Sequence, residues 1–331
     1  MRAVSQGTCD SPEFGDQSPV NTTASVRRRT LAAAIAALAL TTVGAVPAAA
    51  ADSSASAAHP QAPGRGGAPG SSTAGYGENA RLAYQKAVAV QVLRGVFERG
   101  DMTVVDRFVR PDYIQHNPLA PDGPEAMKAF GAAWKQQFPD ATYEERRVIS
   151  DGDLVLLHSS GVLVPGTPGL AVVDIFRFQD GKIAEHWDIL QEVPATTANG
   201  NDMFSTLSKP QAGVPGQRWS TAYNKKLVTD YVGQLLVGKD LSAVDTYVGT
   251  EYHEHSPNTP DRAEGVKTGL GAYFERFPQL SVTPKRVIAE GDLVAVHSHY
   301  VDTPGERGRA VIDLFRIRDG LIRRFDVGSD T

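Results

Sequence analysis

The sequence has a single cysteine in 331 residues, Cys9, which lies in an N-terminal segment with the features of a cleaved export signal. After cleavage the chain could form neither a disulfide nor a thiolate site. Positive charge is also scarce, because Lys and Arg total 33 against 38 Asp and Glu. A chain without a basic excess does not attract a polyanion, so we expect no nucleic-acid partner.

Residues 1–51 are predicted to be a secretory signal peptide. Arginines at 27–29 precede an apolar stretch from Leu31 to Val46, and small residues follow as far as Ala51. The apolar stretch is shorter than the roughly 20 residues of a membrane span, so we expect cleavage and no membrane association afterwards. The predicted location is secreted, through the general secretory route or the twin-arginine route.

Three further segments are not expected to form a core. Residues 1–19 are polar and acidic, unlike an export signal, which predicts a natural start at about position 20. Residues 52–77 are rich in Ala, Ser, Gly and Pro and are predicted to be a disordered leader. Residues 195–217 have the composition of an inter-domain linker, in which Met203 and Phe204 are expected to dock on a domain surface.

The rest of the chain is one domain repeated at a constant offset of 139 residues, without a gap. The repeated segments include Tyr113 to Pro118 with Tyr252 to Pro257, and Val172 to Arg177 with Val311 to Arg316. Because solenoid units are about 20–50 residues long, this period indicates a small domain. We predict domains at 78–194 and 218–331, the second with a degenerate pocket.

Each repeat has helical periodicity first and strand-like segments afterwards, which predicts an α+β fold. In the first copy we expect helices over 79–99, 102–109 and 124–138, then strands over 142–150, 153–164, 170–179 and 182–191. Asp-Gly pairs at 151–152 and 180–181 are strong hairpin signals, so the strands should form an antiparallel meander.

Two motifs carry a family resemblance. The pattern Tyr113-x-x-His116-x-Pro118 and the run from Asp174 to Asp188 resemble the SnoaL-like polyketide cyclases, and most closely their aldol-condensation-type relatives in the nuclear transport factor 2-like superfamily. The resemblance covers nearly all of the first copy and less of the second. It implies two tandem cone-shaped α+β barrels of cystatin-like type, with helices packed on a curved antiparallel sheet. Members often pair through their sheets, so we expect a monomer with an internal pseudo-dimer.

Asp174 is the main candidate for acid–base chemistry. It shares one face of its strand with Val172 and Phe176, and a carboxylate on an apolar face is costly unless it is paired or protonated. Desolvation would raise its pKa toward neutrality, which suits a general base. We expect His116 and Tyr113 to polarise a substrate carbonyl beside it. The alternatives are a structural aspartate, a loop-fixing histidine and a core-edge tyrosine.

Other residues are candidates for the pocket wall. In the first copy they are His158, His186, Trp187, Asp188, Phe176 and Trp134, and the second-copy equivalents of the main candidates are Asp313, His255, Tyr252 and His297. At the constant offset the His186 position becomes Phe325, which is why the second pocket is expected to be weaker. For His158, His297 and Trp187 plain core packing is the alternative, and Trp187 could also pack between the domains. No tight ligand spacing supports a metal in the first copy, and we expect no metal and no cofactor.

The leading functional hypothesis is an exported protein with a pocket for a small apolar carbonyl compound. It would act as a cofactor-free isomerase or aldol-type cyclase through Asp and His acid–base catalysis. One alternative is a secreted module that binds such a ligand without changing it. Another is an epoxide hydrolase-like activity based on the carboxylates of Asp174 and Asp188.

Overall fold

A computed structural model describes residues 73–204 and 220–329, with the side chains of 73–76 and 324–329 excepted. The predicted signal peptide, most of the predicted leader and the later part of the linker lie outside the described residues. Within the described residues, no helix combines the length and apolarity needed to cross a membrane.

The first domain places three helices before most of its sheet. Its elements are α1 (Thr73–Leu93), a π-helical turn (Arg94–Arg99), α2 (Thr103–Phe108), β1 (Val109–Gln115), α3 (Pro124–Gln137), β2 (Thr142–Asp151), β3 (Leu154–Val162), β4 (Leu170–Gln179) and β5 (Lys182–Glu192). The α+β prediction is confirmed. Each predicted element of this copy is present, most within two residues of its expected bounds.

The helix α1 begins at Thr73, six residues before the expected position. Residues 73–77 therefore belong to a helix and not to the leader, where their composition had placed them. A Glu78–Arg81 ion pair with the i,i+3 spacing supports this first part of the helix. The predicted end is confirmed, because Gly100 closes the following π-helical turn with a φ of 68°.

The sheet order is β1-β5-β4-β3-β2, and only the last four strands form the expected meander. β1 pairs parallel to β5, with Gln115 opposite His186. A parallel neighbour requires a crossover, which α3 and the meander provide. This pairing brings the Tyr113 motif beside the His186 motif.

The second domain repeats this topology with the order β6-β10-β9-β8-β7. Its elements are α4 (Thr221–Val232), a π-helical turn (Gly233–Val237), α5 (Ala243–Tyr247), β6 (Val248–Glu254), α6 (Arg262–Arg276), β7 (Ser281–Glu290), β8 (Leu293–Val301), β9 (Arg309–Arg318) and β10 (Leu321–Ser329). Again the first strand pairs parallel to the last.

Both faces of each sheet are buried, and the two faces contact different partners. On β4, Val172 and Phe176 pack against the helices of their own domain. The alternate residues Val173 and Ile175 belong to a cluster shared with the second domain. That cluster contains Ile149, Leu156, Trp187 and Ile189 from the first domain and Ile288, Leu293, Ala295, Ile312 and Leu314 from the second. The two sheets therefore pack back to back.

Two ion pairs frame this contact and are related by the 139-residue offset. Lys86 Nζ lies 2.6 Å from Glu290, and Lys225 Nζ lies 2.6 Å from Asp151. Each carboxylate also accepts a backbone N–H from the other domain, at 2.7 and 3.1 Å. The contact between the copies is thus pseudo-symmetric, as between two subunits related by a twofold axis.

The inter-domain core predicts a large loss of stability for Ile175→Ala. Ile175 is fully buried between the sheets, so truncation should lower the free energy of unfolding by about 2–5 kcal/mol. The control is Val164→Ala, since Val164 is 51% exposed and should change stability by less than about 0.5 kcal/mol. Urea denaturation measures both. Equal small effects would contradict the assignment of the shared core.

The back-to-back packing also predicts a monomer, because each sheet already covers the face through which a second chain would pair. Size-exclusion chromatography with light scattering should give the mass of one chain across a concentration series. A dimer that persists on dilution would contradict the prediction.

Candidate functional site

The two aspartates predicted from the repeat occupy equivalent buried positions. Asp174 on β4 and Asp313 on β9 are each 2% exposed and point to the helix-facing side of their sheets. This orientation follows from strand alternation, since Val172 and Phe176 flank Asp174 and Val311 and Phe315 flank Asp313 in the two domain cores. Their surroundings differ between the copies.

In the first domain Asp174 pairs with His186. Oδ1 of Asp174 lies 2.9 Å from Nε2 of His186, and the ring of Phe176 stacks on the imidazole at 4.4 Å. The other ring nitrogen, Nδ1, lies 3.0 Å from Nε2 of Gln115, which also donates to the Tyr113 hydroxyl at 3.0 Å. A continuous hydrogen-bonded chain therefore joins Tyr113 to Asp174.

The amide of Gln115 sets the tautomer of His186. Its Oε1 accepts the backbone N–H of Asn117 at 3.0 Å, so its NH2 group must face the imidazole. Nδ1 of His186 then accepts a hydrogen bond, and Nε2 carries the proton that it donates to Asp174. Gln115 was not among the predicted site residues. The sequence signal that could have identified it is its position between Tyr113 and His116 in the Tyr-x-Gln-His motif.

Asp188 lies directly opposite Asp174 in the β4–β5 pair. Asn117 donates to its Oδ2 at 3.0 Å, whereas its Oδ1 and the Oδ2 of Asp174 have no hydrogen-bond partner among the described residues. Burial raises the pKa of Asp174, the bond from His186 opposes the shift, and the charge of Asp188 adds to it. Burial, with Asp188 and Asp174 next, also raises the pKa of Tyr113.

His116 lies with Trp187 on the other side of the sheet, contrary to the predicted convergence of His116 on Asp174. Nε2 of His116 lies 2.8 Å from Glu185, and its ring stacks on Trp187 at 4.3 Å. Arg286 of the second domain covers Trp187 at 3.7 Å. The reason is strand alternation, because Glu185 and Trp187 face the second domain while His186 faces the core. The imidazole at Asp174 is that of His186.

His158 and His297 also face the inter-domain layer and not a pocket. Nδ1 of His158 contacts Arg147, and Nδ1 of His297 lies 3.2 Å from Arg286. Burial, and then the neighbouring arginine, lowers the pKa of His158 well below its usual value and that of His297 to about 4. His158 lies on the same strand face as Leu156, and His297 lies on the same strand face as Ala295. Both faces contribute to the core that the two domains share.

Met203 and Phe204 dock as predicted. Met203 is buried, and Phe204 stacks on His158 at 5.4 Å and lies under Arg146 at 5.2 Å. Trp134 is a core residue of α3 whose ring packs on Phe138 at 4.9 Å.

A cavity of about 140 Å³ lies in the second domain, the copy in which the weaker pocket was expected. Its wall is largely apolar and aromatic. The lining residues are Tyr231, Leu235, Leu236, Tyr252, Glu254, Ser256, Thr259, Val266, Leu270, Tyr300, Arg309, Val311, Asp313 and Phe315. Two of the second-copy candidates, Tyr252 and Asp313, both line this cavity. His255 does not line the cavity, and its Nδ1 lies 2.6 Å from the carbonyl oxygen of Asp202.

Asp313 is the titratable group most suited to chemistry in this cavity. Among the described residues its one hydrogen-bond partner is Tyr300, whose hydroxyl donates to Oδ2 at 3.3 Å. Burial raises the pKa of Asp313 to about 7, and the bond from Tyr300 opposes the shift. A carboxyl group with this pKa takes up and releases protons near neutrality, as a general acid or base must.

Tyr300 was not predicted as a site residue because the two copies carry the corresponding aromatic ring on different strands of the same strand pair. In the second domain Tyr300 on β8 lies opposite Val282 on β7. In the first domain the ring comes from the other strand, since Tyr143 on β2 lies opposite Gly161 on β3. A position-by-position comparison shows two unrelated changes. The strand register shows that each sheet has one aromatic ring at this strand pair, on β2 in the first domain and on β8 in the second.

A polar cluster at one part of the cavity also distinguishes the second copy. Arg309 donates to the hydroxyl of Tyr273 at 2.8 Å and forms an ion pair with Asp302. The corresponding residues of the first copy are Leu170, Trp134 and Leu163, all in the apolar core. Elsewhere on the wall Tyr252 donates to Glu254 at 2.8 Å. None of these side chains except Tyr252 was predicted.

The described residues contain no group of three or more His, Cys, Asp or Glu side chains that could hold a metal ion.

The profile of the SnoaL-like domain matches residues 90–186 and 228–325, more than half of the chain and one match in each repeat. This protein therefore belongs to the SnoaL-like domain family, as two tandem domains of the nuclear transport factor 2-like type. No match was found among curated proteins.

Solved structures that are similar each correspond to about one domain. TsrD from Streptomyces laurentii is 25% identical, with 33% of this chain and 89% of TsrD covered and a TM-score of 0.29. A proposed SnoaL-like polyketide cyclase from Jannaschia sp. CCS1 is 20% identical, with 36% and 91% covered and a TM-score of 0.30. A proposed ketosteroid isomerase from Kribbella flavida is 16% identical, with 34% and 80% covered and a TM-score of 0.29.

The buried acid of the second domain predicts that Asp313→Asn stabilises the protein at high pH. The folded-state pKa of Asp313, about 7, lies above the ordinary value of 3.8, so the folded state binds the proton more tightly. Wild-type stability should therefore fall as pH rises from about 4 through 7. At pH 9 the variant should be more stable by roughly 2–4 kcal/mol, and at pH 4 the difference should vanish.

Chemical denaturation at several pH values measures this difference. Asp245→Asn is the control, because Asp245 is an exposed surface residue paired with Lys267. A difference between wild type and Asp313→Asn that does not change with pH would contradict the raised pKa.

Proposed function

We propose that the second-domain cavity binds a small, largely apolar carbonyl compound, and that Asp313 transfers a proton at the carbon next to the carbonyl. The observation that carries the proposal is a buried carboxyl group with a pKa of about 7 at the wall of an apolar cavity. The reaction class is cofactor-free isomerisation or aldol-type cyclisation. Membership of the SnoaL-like family supports this class, because proteins named as cyclases and isomerases share the fold.

The volume of the cavity limits the ligand. An apolar cavity of about 150 Å³ accepts benzene, so a cavity of about 140 Å³ accepts a ligand of about one six-membered ring. Leu235, Leu236, Val266 and Phe315 would contact the apolar part of such a ligand. Fused ring systems exceed this volume.

The chemistry requires a base and a donor for the enolate oxygen. Ionised Asp313 would remove the proton from the α-carbon. In an isomerisation it would return the proton to another carbon of the enolate system, and in an aldol-type cyclisation the enolate carbon would attack a second carbonyl group of the ligand and the alkoxide oxygen so formed would take up the proton. Ser256 and Thr259 line the cavity, and their hydroxyl groups are the proposed donors to the oxygen of the ligand. Tyr300 orients Asp313 through its hydrogen bond.

The first-domain aspartate is the weaker candidate in this proposal. Asp174 already accepts a hydrogen bond from His186, which Gln115 holds in the donating tautomer. Asp313 has Tyr300 as its one hydrogen-bond partner among the residues whose side chains the structure describes, and the cavity lies beside it. The proposal therefore assigns the chemistry to the second domain and not, as the sequence suggested, to the first.

Exchange of the α-protons of cyclohexanone in deuterated water tests the proposal by NMR. Wild-type protein should catalyse exchange, with a rate that rises as pH rises through about 7 because the ionised form of Asp313 is the base. Asp313→Asn should lose the catalysed rate by at least about 100-fold. Tyr300→Phe should shift the pH profile upward, since the bond from Tyr300 lowers the pKa of Asp313.

Asp174→Asn is the matched control, because it makes the same change at the equivalent position of the first domain. It should leave exchange intact. Loss of exchange in Asp174→Asn with retention in Asp313→Asn would assign the chemistry to the first domain. Binding of cyclohexanone without catalysed exchange would instead indicate a ligand-binding module.

A further inference from the structure

A short segment that follows the first domain contacts a loop that forms part of the wall of the second-domain cavity. We refer to residues 198–202 as the bridging segment. They contact the loop at 254–261, which follows β6 and supplies three cavity-lining residues, Glu254, Ser256 and Thr259. The backbone N–H of Ala198 donates to the carbonyl oxygen of Pro257 at 2.8 Å.

Asn199 makes the central contact of the bridging segment. Its Nδ2 donates to the carbonyl oxygens of Ser256 at 2.6 Å and of Thr259 at 3.0 Å. Its Oδ1 accepts the backbone N–H of Asn201 at 2.9 Å, which fixes the orientation of the amide. Both donors of this half-buried side chain are thus committed to the backbone carbonyls of Ser256 and Thr259, two residues that line the cavity.

Asn201 adds a second attachment to the same loop. Its Nδ2 donates to the carbonyl oxygen of Glu254 at 2.8 Å and lies 3.2 Å from Asp261. The loop is therefore held at its start, by Asn201, and in its middle, by Asn199. Only the second copy has this arrangement among the described residues, and only there do the relevant positions carry hydroxyls, since Ser256 and Thr259 replace Asn117 and Ala120.

We propose that Asn199 is a positioning residue for the second-domain site, and that it holds the Ser256 and Thr259 hydroxyls where they bind the carbonyl oxygen of the ligand. This inference rests on the proposed function of the cavity. It adds that a segment from outside the second domain positions a loop of its binding site. Recognition of the carbonyl oxygen should then depend on Asn199, whereas apolar contact with the cavity wall should not.

Two probes of equal shape separate these contributions. Cyclohexanone carries the oxygen, and methylenecyclohexane replaces it with a carbon. Ligand-observed NMR titration of the full chain measures both dissociation constants. Wild-type protein should prefer cyclohexanone, and Asn199→Ala should reduce that preference roughly tenfold, the value of one hydrogen bond, without changing the affinity for methylenecyclohexane.

The matched control is Asn258→Ala, which removes an exposed asparagine of the same loop and should preserve the preference. Thermal unfolding checks that each variant is folded. If Asn199→Ala does not fold, Asn199→Asp keeps the size of the side chain and removes both donors.

A double variant, Ser256→Ala with Thr259→Val, distinguishes the possible failures. It should lose the preference for cyclohexanone, and adding Asn199→Ala should have no further effect, because the residues act as one unit. If the double variant loses the preference and Asn199→Ala keeps it, the positioning role is wrong and the proposed function stands. If wild-type protein binds neither probe, or binds both equally, the proposed function fails together with this inference.

Discussion

Burial of both faces of each sheet is the constraint on which this structure depends. A strand inside such a sheet has no solvent face, so every side chain enters one of two interiors. On β4 and β9 one set of residues enters the core of its own domain and the other set enters the layer between the domains. The tandem arrangement is the simplest means of covering the second face, because a linked copy is always available.

This constraint decides which polar residues can act together. Asp174 and His186 share the helix-facing side, so they pair. His158 and Trp187 enter the layer between the domains, where each contacts an arginine, whereas the exposed His116 stacks on Trp187 and pairs with Glu185. His186 and Trp187 are adjacent in the sequence, but His186 enters the core of the first domain and Trp187 enters the layer between the domains. They therefore cannot belong to one site.

Much of the fold could be predicted from the sequence because it depends on local patterns. The repeat, the Asp-Gly hairpins and the helical periodicity indicated the domains and most element bounds. The burial of Asp174 and Asp313 followed from alternation in one strand. The parallel β1–β5 pair could not be predicted in this way, since it joins segments about 70 residues apart. For the same reason the role of Gln115 and the exclusion of His116 were not predictable.

The cavity was harder to predict because it depends on differences between the copies. Comparison at one offset showed that His186 was replaced, and this suggested a degenerate second pocket. It did not show that Tyr300 supplies from β8 the ring that Tyr143 supplies from β2. Cross-strand register relates these positions, and register is a property of the folded sheet.

The equivalent buried aspartates of the two copies have different hydrogen-bond partners and different surroundings. In the first domain an imidazole donates to Asp174, and Asn117 donates to the opposing Asp188, so hydrogen bonds within the domain occupy part of each carboxylate. In the second domain Tyr300 donates to Asp313, which lies at the wall of a cavity. The bridging segment then attaches to the loop of the same cavity. The two copies thus place the same buried acid in different surroundings: Asp174 is bonded to an imidazole of its own domain, whereas Asp313 lies at the wall of a cavity to whose loop the chain between the domains attaches.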